Sequence, residues 1–212
     1  MRYFAPVLLL LLAANAYAAS LSQTIQNRYR NIVSLQATCT QILTNAASRQ
    51  AETRQGKILF KKPCLVRWET QGDNDTELLV VGSKTVWEYF PAEKIVYVRD
   101  NGKQVLSSRN MLNLLTGEAR LEEDFFLEQQ GTEQGLLKIK LTPKEPEPDL
   151  VLAWLWWNEK TSLVERLLLV DFFGNGNELR LEQIQLNPDI SEQAFEFTPP
   201  ADVSVETVSA QP

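Results

Sequence analysis

Gly56-Lys57-Ile58-Leu59-Phe60-Lys61-Lys62-Pro63, continued by Cys64-Leu65-Val66-Arg67-Trp68-Glu69-Thr70, is the stretch from which the fold is read. Successive side chains of a β-strand point to opposite faces. On the first run Ile58, Phe60 and Lys62 therefore oppose Lys57, Leu59 and Lys61, and on the second Cys64, Val66 and Trp68 oppose Leu65, Arg67 and Glu69. Pro63, which has no N–H to give a ladder, separates the two runs. One face collects large apolar groups, as in a hairpin of a one-sided antiparallel sheet.

Further strands follow at turn-like intervals. Beyond the turn Gln71-Gly72-Asp73-Asn74-Asp75 they are predicted at 77–81, 84–90 and 94–99, broken by Gly82-Ser83 and Pro91. Val86, Glu88 and Phe90 there oppose Thr85, Trp87 and Tyr89. The alternation stops between Val105 and Leu115, where Met111, Leu112, Leu114 and Leu115 cluster ahead of Gly117, a helix with a glycine end. A shorter helix is predicted over 121–129. Strands resume at 136–141 and, after the Pro-rich link 143–148, at 150–157, 163–171 and 177–186; Phe195 to Pro200 closes the fold. Upstream, Leu21, Ile25, Tyr29 and Ile32 recur at helical spacing, predicting a helix over 22–33. A β-rich run over 37–42 and a polar turn region over 45–55 follow it. The strand 150–157 is apolar on both faces, so each face needs a cover, from a helix, a loop or a partner.

The first eighteen residues read as a signal peptide: Arg2, the apolar run Val7 to Leu12, and the small-residue site Ala16-Tyr17-Ala18. The run from Phe4 to Ala14 is too short to span a bilayer and contains Pro6. Cleavage places the mature start at Ala19, with a single domain over 19–207 and a loose tail over 208–212. No cysteine adjoins the cleavage site, so no lipid anchor is expected there. Without Arg2 the chain has 20 basic and 27 acidic residues, a net charge of −7, which argues against nucleic acid and against standing adhesion to anionic membrane. Cys39 and Cys64 are the only cysteines. With a turn near Ser48 to Gln50, Cys39 faces residue 58 and Cys64 lies a strand further on, about 10 Å away. That exceeds the roughly 7 Å a disulfide tolerates, and no bridge is expected.

Catalytic signatures are missing. There is no histidine, and no GxSxG elbow, Walker loop, CxxC or HExxH pattern. Gly174-Asn175-Gly176-Asn177 suits a hairpin turn better than a dinucleotide loop. Glu122-Glu123-Asp124 has adjacent carboxylates that diverge on any regular element, the pattern of a solvated face rather than a metal site. Neither an enzyme, a metal nor a cofactor is expected.

Several stretches resemble the LolA family of periplasmic lipoprotein carriers, in family order: Arg28-Tyr29 with Ser34-Leu35-Gln36-Ala37-Thr38 and Gln41; Gly56 to Pro63 with Arg67-Trp68-Glu69; Val86-Trp87-Glu88-Tyr89 with Pro91; Leu112 to Gly117; Asp171-Phe172-Phe173-Gly174-Asn175; and Phe195 to Pro200. The resemblance implies an incomplete antiparallel β-barrel of about eleven strands with a lid of about three short helices. It also implies a monomeric periplasmic chaperone that takes acylated lipoproteins from an inner-membrane ABC transporter to a LolB-like outer-membrane acceptor. A same-fold module that senses lipoproteins or lipid is the alternative. Candidate lipid-lining residues are Ile58, Phe60, Val66, Trp68, Trp87, Met111, Leu112 and Leu115. Where the family has an arginine that holds the lid shut, before the strand-ending proline, this chain has Lys62, a point charge without the guanidinium fork. Cys39 stands where the family commonly has phenylalanine.

Overall fold

A computed structural model describes residues 21–72, 76–100 and 109–208. The predicted signal peptide, the turn residues 73–75, the helix start over 105–108 and the last four residues lie outside this set. The architecture is mainly β with three short helices, as the sequence predicts. Strands β1 (Ser34–Thr44), β2 (Ala51–Lys61), β3 (Leu65–Gln71), β4 (Thr76–Val81), β5 (Thr85–Phe90) and β6 (Ile95–Asp100) follow helix α1 over 21–30. Helices α2 (Arg109–Thr116) and α3 (Leu121–Asp124) lead into β7 (Phe125–Glu133), β8 (Leu136–Pro143), β9 (Leu152–Asn158), β10 (Leu163–Val170) and β11 (Gly176–Leu186). A 3-10 turn over Glu192–Phe195 and a short β12 (Ser204–Thr207) complete the described chain. The sheet thus has twelve strands rather than about eleven, and its order leaves β12 and β7 as terminal strands. β12, which the polar sequence conceals, pairs in parallel with β6.

The chain divides into two compact units. One holds 32–109 and 173–212, with β1–β6, β11 and β12. The register Ile58↔Trp68 and Phe60↔Val66 carries on to Leu79 and Val81 of β4 and to Ala37 and Leu35 of β1. All of these are buried, so one apolar face is continuous across four strands. The β1–β2 register differs from that expected, since Cys39 pairs with Gly56 and not with residue 58. Gly56 is needed there: a Cβ would lie 2.4 Å from the Glu69 carbonyl oxygen. Neither cysteine forms a disulfide, Cys39 being buried and Cys64 exposed in the turn after β2. The opposite face is covered by the C-terminal run, where Leu65, Ile190 and Phe195 pack with Leu59 and Ala194, and Phe197 meets the Trp87 and Tyr89 rings.

The other unit holds 1–31 and 110–172. On β9, Ala153, Leu155 and Trp157 are buried together with their partners Leu141, Ile139 and Leu137 of β8 and Leu169, Leu167 and Val164 of β10. Tyr29 of α1 accepts the Val164 N–H at 3.1 Å, while Ser22 Oγ–H donates to Glu122 at 2.5 Å. On the second face of β9, Trp156 is buried between two cations: Lys138 Nζ lies 4.9 Å and the Arg166 guanidinium 4.0 Å from the ring centroid. Long charged side chains cover this aromatic. The third predicted helix is only one turn long. Phe125 turns extended and pairs with Pro143, so the β7–β8 ladder takes the residues after Asp124.

α2 ends as predicted. Gly117 adopts φ +76°, and a Cβ there would stand 2.3 Å from Tyr29 Cβ. Gly117→Ala is therefore expected to lower stability by about 3 kcal/mol or more, combining left-handed strain with a clash. Gly131→Ala, at φ +84° with open space around it, should cost only about 1 kcal/mol. Urea unfolding of the two variants checks this, and equal losses would contradict the Tyr29 contact.

Candidate lipid-binding faces

Strand pairing places Ile58, Phe60, Val66 and Trp68 side by side on one face of β2 and β3. Their burial leaves each at most 5% exposed. Trp87 does not join them. It pairs with Val80 and Val98, in line with Arg67 and Leu59, and so stands on the opposite face, edge-on to Phe197 at 5.9 Å. Residue parity on β5 left both faces open, and Val86 is the β5 side chain that continues the Val66–Val81 row.

Met111, Leu112 and Leu115 are brought together by helical spacing on α2 and are buried with Leu114. Thr116 Oγ–H closes the last turn onto the Leu112 carbonyl at 2.8 Å, and Asn110 Nδ2 reaches Asp149 at 3.2 Å at the first. Gln26 donates to the Ala119 carbonyl at 3.3 Å, tying α1 to the segment after α2. Lys62 follows β2 directly, and its backbone N–H donates to the Val33 carbonyl at 2.8 Å.

Burial also marks the titration of this face. Desolvation pushes the Cys39 thiol up to about 11, against a smaller opposing pull from Trp68. It pushes the Tyr29 phenol up to about 12, with the Val164 hydrogen bond acting the other way. Elsewhere, Lys138 and then Arg166 hold the exposed Glu133 carboxyl below its ordinary range. Among the described residues no group of three or more His, Cys, Asp or Glu is arranged to hold a metal ion. Glu123 and Asp124 pair with Arg120, and Glu122 with Ser22, so the acidic run is spent on local bonds. The faces offer apolar contact.

A family model described as "Outer membrane lipoprotein carrier protein LolA" matches residues 30–198. The chain belongs to the LolA family. This LolA-family chain is 28% identical over 195 residues to an outer-membrane lipoprotein carrier protein of Dechloromonas aromatica, covering 92% of this chain and 91% of that one. It is 30% identical over 195 residues to the protein of the same name from Methylococcus capsulatus, covering 89% and 90%. A solved structure of an uncharacterized conserved protein from Thermus thermophilus matches with a TM-score of 0.57, covering 91% of this chain and 99% of that one. At 14% identity that likeness is one of fold. No described helix is long and apolar enough to cross a membrane.

The raised Cys39 and Tyr29 values make a pH prediction. The folded state holds both protons more tightly than the unfolded chain, so their contribution is complete below about pH 9 and is lost as pH rises through about 11 and 12. Each group contributes up to roughly 2–3 kcal/mol. Urea midpoints should fall steeply between pH 9 and pH 11, and Cys39→Ala should flatten part of that fall. An unchanged slope in the variant would contradict the assignment to Cys39.

Proposed function

We propose that this protein is a periplasmic carrier, not a catalyst, which shields the acyl chains of lipoproteins between an inner-membrane ABC transporter and a LolB-like outer-membrane acceptor. The observation that carries the reading is the LolA family match over 30–198. An unbroken apolar face of Ile58, Phe60, Val66 and Trp68 supports it. Each buried CH₂ gains about 0.8 kcal/mol, so a chain of about 14 carbons gains of order 11 kcal/mol on leaving water. Such a gain makes a shielded route necessary for soluble transit. Export through the predicted signal peptide belongs to the same reading.

In this scheme the acyl chains lie against Ile58, Phe60, Val66 and Trp68 in the larger unit, Met111, Leu112 and Leu115 are the candidate lipid contacts of the smaller one, and Lys62 is the candidate latch. Membranes bearing the transporter, incubated with ATP and the purified protein, are expected to release lipoprotein into the soluble fraction. Lipoprotein left wholly in the pellet would overturn the carrier reading. A photo-crosslinker at Val66 or Leu112 should capture the acyl chains, whereas one at Trp87 should not. Lys62→Leu is expected to slow hand-over from the loaded protein to the acceptor, and unchanged hand-over removes Lys62 from the scheme.

A further inference from the structure

The apolar face changes character at its β5–β6 end. Val86 pairs with Arg99, and Glu88 with Tyr97, so Glu88, Tyr97 and Arg99 extend the rows begun by Trp68–Leu79 and Val66–Val81. The Glu88 carboxylate and the Arg99 guanidinium are ion-paired on that face, with only 12% and 17% of their side chains exposed. Phe90 packs edge-on to Tyr97 beside them, ring centroids 5.9 Å apart. Arg99 uses a terminal nitrogen for Glu88, while its buried Nε–H has no hydrogen-bond partner among the described residues.

Two charges taken largely out of water beside the aliphatic Val66–Val81–Val86 row are costly, and a one-sided pair leaves part of that cost unmet. The Val66–Val81–Val86 row would be continued more simply by another aliphatic residue at position 99. A guanidinium placed there with one donor in reserve suits a ligand that brings acceptors and no donors, and the Glu88 carboxylate holds the guanidinium in position. Glycerol ester linkages have such acceptors and no donor, one carbonyl for each acyl chain, next to the first CH₂ of the chain.

Resting on the carrier reading, we infer that Arg99, positioned by Glu88, is the polar terminus of the lipid site, where its Nε–H donates to an acyl carbonyl oxygen. Carbonyls would dock at the β5–β6 end while the chains run toward β3 and β2. Arg99 thereby sets which end of the lipid enters first and separates acylated glycerol from plain hydrocarbon.

Two probes with the same chains test this: dimyristoylglycerol, which has ester carbonyls, and its ditetradecyl diether, which has none. Displacement of an environment-sensitive fluorophore from the purified protein should show the diester binding about tenfold more tightly than the diether, the size of one hydrogen bond to a charged group. Glu88→Met combined with Arg99→Met should bind the two equally. A second readout needs no variant: the ¹³C-labelled ester carbonyl band of the diester on the native protein should shift to lower frequency. Equal binding of the two probes by the native protein, preference retained in the double variant, or an unshifted carbonyl band would each overturn the assignment while leaving the carrier reading intact. Binding of neither probe would overturn both.

Discussion

The pairing of Ile58 with Trp68 and of Phe60 with Val66 is the constraint from which the rest of the larger unit follows. Side chains alternate along a strand with a period of two, so a slip of one residue between β2 and β3 would send Leu59, Arg67 and Glu69 to the apolar face. The register is held from both sides. Gly56 lets the backbone approach the Glu69 carbonyl, and Leu65 is anchored on the reverse face by Ile190 and Phe195. With that register set, Leu79, Val81 and Val86 extend the face strand by strand, and Trp87 must turn away from it.

Each unit protects its second face by a different means. In the larger unit the C-terminal run lays Phe195 and Phe197 over the reverse side of β2–β5, which is why a short polar-looking tail segment matters to the core. In the smaller unit Lys138 and Arg166 lie against the Trp156 ring and share Glu133 as counter-ion. That solution keeps a large aromatic dry while presenting charge to water.

Much of this was legible because the deciding signals are local. Alternation marked β2, β3 and β5, and glycine at 117 marked the end of α2, since only a left-handed residue completes that turn beside Tyr29. What escaped depended on pairing at a distance. The length of α3 is set by β8, which draws Phe125 into a ladder, and β12 exists only because β6 offers it an edge. The β1–β2 register lies two residues from the expected one because the turn over 45–50 is fixed by Asn45, whose Oδ1 accepts the Ser48 N–H at 2.8 Å, and by Arg49 at φ +57°, neither of which alternation marks. Trp87 could not be assigned a face from parity alone, for its own strand is aromatic on one side and mixed on the other. Of the candidate residues, those on β2, β3 and α2 were legible in groups, whereas the Glu88–Arg99 pair was hidden because its members are eleven residues apart and look like ordinary surface charges.

The shortness of the helices bears on how an apolar face is used without being lost to collapse. α2 has eight residues and α3 four, lengths that are marginal in water without tertiary contacts. Their order comes from apolar packing of Met111, Leu112, Leu114 and Leu115, each worth roughly 1.5–3 kcal/mol when buried. Such packing is non-directional, so methylene groups of an acyl chain satisfy the same side chains as well as protein neighbours do. The polar ties of α1, by contrast, are directional, among them Tyr29 to Val164, Ser22 to Glu122 and Gln26 to Ala119. A ligand that exchanges apolar contact for apolar contact leaves these ties unchanged in kind. On the proposed carrier reading, the free energy of loading would be a difference between two similar burials, and a difference of that size could be reversed at hand-over.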